Sequence, residues 1–214
     1  MTVLPSNAAN MPLPYFETWP NIESTVKKDP KIEEDISNIL SQMTLAEKVG
    51  QMIQPDLREV TPEEAEQYKL GSILNGGGAW PNGDKYSTPL DWAKESDKYY
   101  EALERAYEGR GFRVPFAWAT DAVHGHNNVF KATLFPHNIG LGAANNPDLI
   151  ERIGAATALE ISTTGLDWTF APTVAVPRDY RWGRVYEGYS EDPQITYQYA
   201  KRMVKGLQGD LSEG

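Results

Sequence analysis

Five times along the chain a residue able to cap a helix stands directly before a proline: Asp29-Pro30, Thr61-Pro62, Thr88-Pro89, Asn146-Pro147 and Asp192-Pro193. The cap side chain accepts from a free N–H of the first turn, and proline has no N–H to leave unpaired there. Each pair therefore predicts a helix start. Thr44-Leu45-Ala46-Glu47 adds a sixth, as a capping box. Apolar stripes at helical spacing follow: Ile32, Ile36, Ile39, Leu40 and Met43; Val49 and Met52; Trp92, Tyr99, Leu103 and Ala106; Ile150, Ile153 and Ile161; Ile195, Tyr199, Met203 and Leu207. Such stripes face a core by default.

Short apolar runs lie between these helices, at Gly71–Leu74, Val114–Ala119 and Leu166–Val176. Each follows a helix and ends in a polar loop rich in Gly or Pro. Strand, loop, helix, strand is the pattern of a parallel sheet in an α/β fold. The loops after the strands are long, and long loops at the C-terminal ends of strands are where α/β folds build their sites. A closed (β/α)8 barrel needs eight strands and about 250 residues. Here three strands are readable, and Gly209-Asp210-Leu211-Ser212-Glu213-Gly214 stands where a further strand would be expected. The predicted fold is an incomplete (β/α)8 TIM-like barrel of about three β/α units with N-terminal helices. A small three-layer α/β domain is the alternative. Residues 1–28, rich in Pro and Asn, are expected to be an irregular lead-in, with the barrel part spanning 29–214.

Charge and composition narrow the function classes. A net charge of −10 argues against nucleic acid, which needs a basic face. The absence of Cys excludes disulfides and thiolate metal sites. No apolar run approaches the roughly 20 residues of a membrane helix, and the first residues show no signal-peptide pattern. No cofactor motif is present. In particular, the run Asn75-Gly76-Gly77-Gly78 lacks the Gly-Lys-Ser/Thr of a phosphate loop.

The loops hold the candidate chemistry. After the first strand, Gly76 and Gly77 allow close approach of backbone to a ligand, or simply a tight turn. After the second strand, seven of the nine residues from Thr120 to Asn128 are polar or Gly. Asp121 there can accept from vicinal sugar hydroxyls, or cap the loop. His124 and His126 could ligate a metal as a His-x-His pair, which would make a metal-dependent hydrolase. Alternatively their ring nitrogens tie the loop backbone together. After the third strand, three Arg, four acids and four aromatics fall in the sixteen residues 177–192. That mixture suits a pocket that hydrogen-bonds a polyol and stacks on its apolar face, or an ion-paired structural loop.

The ordered set of motifs resembles family 3 glycoside hydrolases. It comprises Gln42-Met43-Thr44-Leu45-Ala46-Glu47-Lys48-Val49-Gly50-Gln51-Met52, Gly71-Ser72-Ile73-Leu74-Asn75-Gly76-Gly77-Gly78, Asp121-Ala122-Val123-His124-Gly125, Thr133-Leu134-Phe135-Pro136-His137-Asn138-Ile139-Gly140-Leu141, Ala158-Leu159-Glu160, Phe170-Ala171-Pro172-Thr173-Val174-Ala175-Val176 and Trp182-Gly183-Arg184-Val185-Tyr186-Glu187. The string Asp-Ala-Val-His-Gly-His-Asn-Asn is most similar to the exo-β-1,3/1,4-glucanase branch. The resemblance implies a barrel domain, retaining hydrolysis of β-glucosides or β-glucan oligosaccharides from non-reducing ends, and a periplasmic or secreted setting. It implies that Asp121 and Arg184 bind substrate, with Glu187, Gly76, Gly77 and His126 in support, no metal and no cofactor. The nucleophile and acid/base carboxylates, about 5–5.5 Å apart in retaining enzymes, are expected beyond residue 214. A fragment that only binds sugar is the non-catalytic alternative.

Overall fold

The structure is a computed structural model that describes residues 27–210. All but the last two residues of the expected lead-in lie outside that range. The chain divides into two compact units, Met1–Gln42 and Met43–Gly214. The described part of the first unit is helix α1, Pro30–Gln42, opened by Asp29 accepting from Lys31 N at 2.7 Å. None of its residues is buried. Of the stripe expected to face a core, Ile32, Ile36 and Leu40 are exposed and Ile39 is half-buried, while Met43, in the second unit, is buried.

The second unit holds helices α2 (Leu45–Gln51), α3 (Pro62–Tyr68), α4 (Pro89–Ala106), α5 (Asn138–Ala144), α6 (Pro147–Thr163) and α7 (Pro193–Gln208), with strands β1 (Ser72–Asn75), β2 (Ala117–Thr120) and β3 (Trp168–Thr169). The predicted starts are borne out. Thr61 and Thr88 close capping boxes with Glu64 and Asp91, Asn146 accepts from Leu149 N, and Asp192 accepts from Gln194 N. Thr44 and Glu47 form the box expected of them. The strands are parallel in the order β1-β2-β3, with Asn75 opposite Thr120 and Thr120 opposite Thr169. The fold is α/β, an incomplete (β/α)8 barrel.

Two apolar cores hold this unit together. Ile73 and Trp118 of the sheet pack with Trp92 and Tyr99 of α4 and with Ile161 and Leu166. Leu141 of α5, Ile150 and Ile153 of α6, and Tyr199 and Met203 of α7 form the second with Tyr189. Helices α6 and α7 touch backbone to backbone, since a Cβ on Gly206 would lie 2.1 Å from Glu151 O. No side chain other than hydrogen fits there.

Several expectations are corrected. The third strand keeps two residues of the eleven predicted; residues 170–176 run irregularly and include a cis Ala171–Pro172 bond. The second strand starts at Ala117, after Pro115, which has no N–H for a ladder. Val49 of α2 and Met52 just past its end stay exposed. The helix turns Glu47 and Gly50 inward instead, because Gly50 lies against the carbonyls of Tyr68 and Lys69. Helix α5 was not anticipated, since Gly140 and Gly142 are poor helix formers. Tertiary packing makes it: a Cβ on Gly142 would sit 1.7 Å from Tyr189 O.

Candidate functional site

Because the strands are parallel, their C-terminal ends share one side of the sheet, and the long loops leave from there. Asp121 is the first residue past β2, its N–H bonded to Asn75 O at 3.1 Å. Its own carbonyl accepts from Asn128 Nδ2 at 3.3 Å. Asn127 Oδ1 caps the same loop by accepting from Val123 N at 3.0 Å. The loop is thus braced by its own amides, and among the described residues the half-buried Asp121 carboxyl makes no direct ion pair.

The electrostatics show what surrounds that carboxyl. Its pKa is raised, first by burial and then by the negative charge of Glu187; the Gly77 amide, Arg184 and His124 pull the other way. The structure therefore brings Asp121, Arg184, Glu187 and Gly77 together, drawn from the loops after all three strands. Arg184 forks onto Glu187, which it holds below the ordinary carboxylate range. The Arg184 side chain itself is 64% exposed, so its remaining donors are open to a ligand.

The glycines flank two carboxylates. A Cβ on Gly77 would stand 3.9 Å from Asp121 Oδ2, and one on Gly76 would stand 3.7 Å from Asp56 Oδ2, both ordinary contacts. The turn itself demands glycine only at Gly78, where φ is +82°. Asp56, which sequence reasoning missed, accepts from Gly76 N at 3.4 Å and pairs with Arg58 through both oxygens. No apolar run marked it: it joins the sheet only through a single bridge to Leu74.

The two histidines part company. His124 Nδ1 lies 3.0 Å from Phe135 O, tying loop backbone as one of the two readings held. Its ring lies tilted against His137 with centroids 4.2 Å apart, and His137 meets Tyr186 edge-on at 4.7 Å. His126 is in the core instead, packed on Trp92, its Nε2 2.8 Å from Thr164 Oγ1. Burial drives its pKa down to about 4. The pair does not converge on a metal, and among the described residues no group of three or more His, Cys, Asp or Glu side chains is arranged to hold one. In the third loop, Arg181 pairs with Asp179 in solvent, while Tyr180, Trp182 and Tyr186 are exposed. That loop is therefore part ion-paired frame and part open aromatic surface.

Known proteins resemble this chain over most of its length. The chain is 51% identical to the exo-1,3/1,4-beta-glucanase of a Pseudoalteromonas species, with a TM-score of 0.84 over 90% of this chain and 24% of that one. It is 29% identical to a Listeria innocua beta-glucosidase variant solved in complex with laminaribiose, with a TM-score of 0.60 over 83% of this chain and 24% of that one. The periplasmic beta-glucosidase of Salmonella typhimurium is 33% identical over 81% of this chain and 20% of its own length. The chain thus spans about a quarter or less of the length of these relatives. Residues 44–212 match the glycosyl hydrolase family 3 N terminal domain, and the chain belongs to that family.

Proposed function

We propose that this chain supplies the sugar-binding part of a retaining β-glucosidase or exo-β-glucanase that acts on non-reducing ends. The observation that carries the reading is the grouping of Asp121, Arg184, Glu187 and Gly77 at the C-terminal ends of parallel strands. A desolvated carboxylate accepts from two vicinal hydroxyls, while a guanidinium donates to their oxygens. Glu187 holds Arg184 in place, and Gly76 and Gly77 leave room beside the carboxylate. The relatives' names support a β-glucan substrate, and one of them was solved with laminaribiose bound. Residues 29–214 would then be part of the family's (β/α)8 domain.

Retaining hydrolysis needs a nucleophilic carboxylate and an acid/base carboxylate. No residue of this chain takes either role in our reading, and the relatives' greater length has room for both. The 214-residue chain alone should therefore not hydrolyse an aryl β-glucoside above background. The test is Asp121→Ala in a longer enzyme that carries this segment and both carboxylates. We expect kcat/KM to fall at least about 100-fold, roughly 2.7 kcal/mol of transition-state stabilisation. That exceeds one neutral hydrogen bond but suits a charged acceptor gripping two hydroxyls. Near-normal kinetics would remove Asp121 from the site.

A further inference from the structure

Arg184 and Glu187 sit at either end of a short 3-10 turn, Val185–Glu187. So short a turn has little stability of its own. Glu187 N bonds Arg184 O at 3.0 Å, but past Glu187 the chain turns extended at Gly188, with φ −86° and ψ 145°. The Glu187 carbonyl thereby loses the donor that a continuing helix would give it. Two side chains from elsewhere take it over. Asn138 Nδ2 donates to it at 2.8 Å, and the Thr173 hydroxyl donates to it at 2.6 Å. Asn138 Nδ2 also donates to Thr173 Oγ1 at 2.8 Å, which closes a triangle.

The triangle has a clear polarity. Both amide protons of Asn138 are used, and the Thr173 hydroxyl both donates and accepts. Asn138 is buried, and its buried Oδ1 has no hydrogen-bond partner among the described residues. A buried amide rarely leaves an oxygen unpaired, and flipping this one would set two oxygens against each other at Glu187. Gly188 adds a steric stop, since a Cβ there would lie 2.6 Å from Pro177 Cδ. The turn is therefore held from α5, through Asn138, and from the loop after β3, through Thr173.

We infer that Asn138 and Thr173 are positioning residues for the sugar-binding pair, locking the Glu187 carbonyl so that the Glu187 carboxylate holds Arg184 toward Asp121. The consequence for sugar rests on the function proposed above; the consequence for Arg184 does not. An exposed arginine has many rotamers, and its ion pair orders it only as well as the partner's backbone is ordered. Neither Asn138 nor Thr173 needs to touch a sugar for this.

The test uses the 214-residue chain and two readouts. The first is hydrogen exchange at Arg184 Nε–H, followed by NMR without ligand. Thr173→Val keeps the shape and removes the hydroxyl, and it should speed that exchange about fivefold, the factor for one ordinary hydrogen bond. Thr173→Ser restores the hydroxyl and should return it to the parent rate. Unchanged exchange in Thr173→Val overturns the proposal. If Thr173→Val does not fold, Asn138→Ser, which removes the amide donors, carries the same expectation and the same refutation. The second readout is laminaribiose affinity, measured by NMR titration. Weaker binding in Arg184→Ala and in Thr173→Val, with no further loss in the double variant, supports the sugar role. If Arg184→Ala binds laminaribiose like the parent, the sugar-binding reading fails while the exchange result still decides the clamp.

Discussion

Arg184 reaches Glu187 through two parallel contacts of 2.6 Å each, Nε to Oε1 and Nη2 to Oε2, although the arginine is largely exposed and the glutamate is not. A fork of this kind fixes a planar cation better than a single contact does. It also sets a negative charge where it acts on Asp121. Replacing Glu187 by Gln removes that charge and frees Arg184. Both changes favour the ionised form of Asp121, whose pKa is raised in part by Glu187 and lowered by Arg184. Asp121 should therefore titrate at lower pH in Glu187→Gln than in the parent, as read from its side-chain carboxyl carbon by NMR. An upward shift would contradict the arrangement.

Asp121 should also make sugar binding pH-dependent. Only the ionised carboxylate accepts from two hydroxyls, and its pKa is raised above the ordinary 3.8, chiefly by burial. Affinity for laminaribiose should fall as pH drops through that raised pKa, at higher pH than an ordinary aspartate would give. Asp121→Asn should bind weakly at every pH and remove this step. The sign for stability is opposite. A carboxyl whose folded pKa is raised opposes folding once pH exceeds it. Asp121→Asn should hence leave Tm at about pH 7 unchanged or higher while binding is lost, as expected for a residue kept for function. A clear loss of Tm would mark Asp121 as a structural cap.

How far the sequence could be read depended on how local each cause was. Helix starts are made by a cap and a proline one residue apart, so Thr61, Thr88, Asn146 and Asp192 announce them. Asp121 could be picked out because it lies one residue beyond an apolar run. Arg184 came by resemblance, since nothing close to it in the chain tells it from Arg181, which merely pairs with Asp179 in solvent. Helix α5 was invisible because its formation depends on Gly142 meeting Tyr189. The same holds for Asp56, His137, Asn138 and Thr173. Apart from Arg58 beside Asp56, their partners lie well outside the local sequence, 49 residues away in the case of Asn138 and Glu187, and only the folded backbone brings them together. Residues 170–176 misled for the opposite reason, because an apolar run reads as strand whether or not a ladder forms.

His126 predicts a second pH window. Its buried ring titrates at about 4 rather than 6.5. A histidine whose folded pKa is lowered stays neutral in the fold while the unfolded chain gains a proton. Stability should fall as pH drops from about 6.5 toward about 4 and level off below. The full step is roughly 3 kcal/mol. Differential scanning calorimetry of His126→Gln should show a flatter Tm profile in that window, and an unchanged profile would place the ring in contact with water.

Glu47 predicts a third window, below that of His126. Its carboxyl is drawn from 4.5 to about 2, first by its hydrogen bond to Arg110 and next by the Thr44 amide. The group caps α2 and, through Arg110, ties the helix start to the segment after α4. A carboxyl with a lowered folded pKa stabilises the fold fully above its unfolded value, and that contribution disappears as pH falls through the folded one. The Glu47 contribution should thus be intact above about pH 4.5 and vanish progressively toward about 2. The fall from 4.5 to about 2 sets an upper bound of roughly 3 kcal/mol. Because the Arg110 side chain is 33% exposed, water screens the pair and about 1–2 kcal/mol is the expected size. Glu47→Gln should destabilise the fold by that amount at about pH 7, seen as a lower Tm, and lose less stability than the parent between about pH 4.5 and 2. Arg110→Met should lower Tm at about pH 7 as well, yet retain part of the acid-dependent loss, because the Thr44 amide still favours the ionised carboxyl. If Glu47→Gln and the parent lose stability in parallel below about pH 4.5, the acid sensitivity belongs to other carboxylates and the pair is not what joins these two segments.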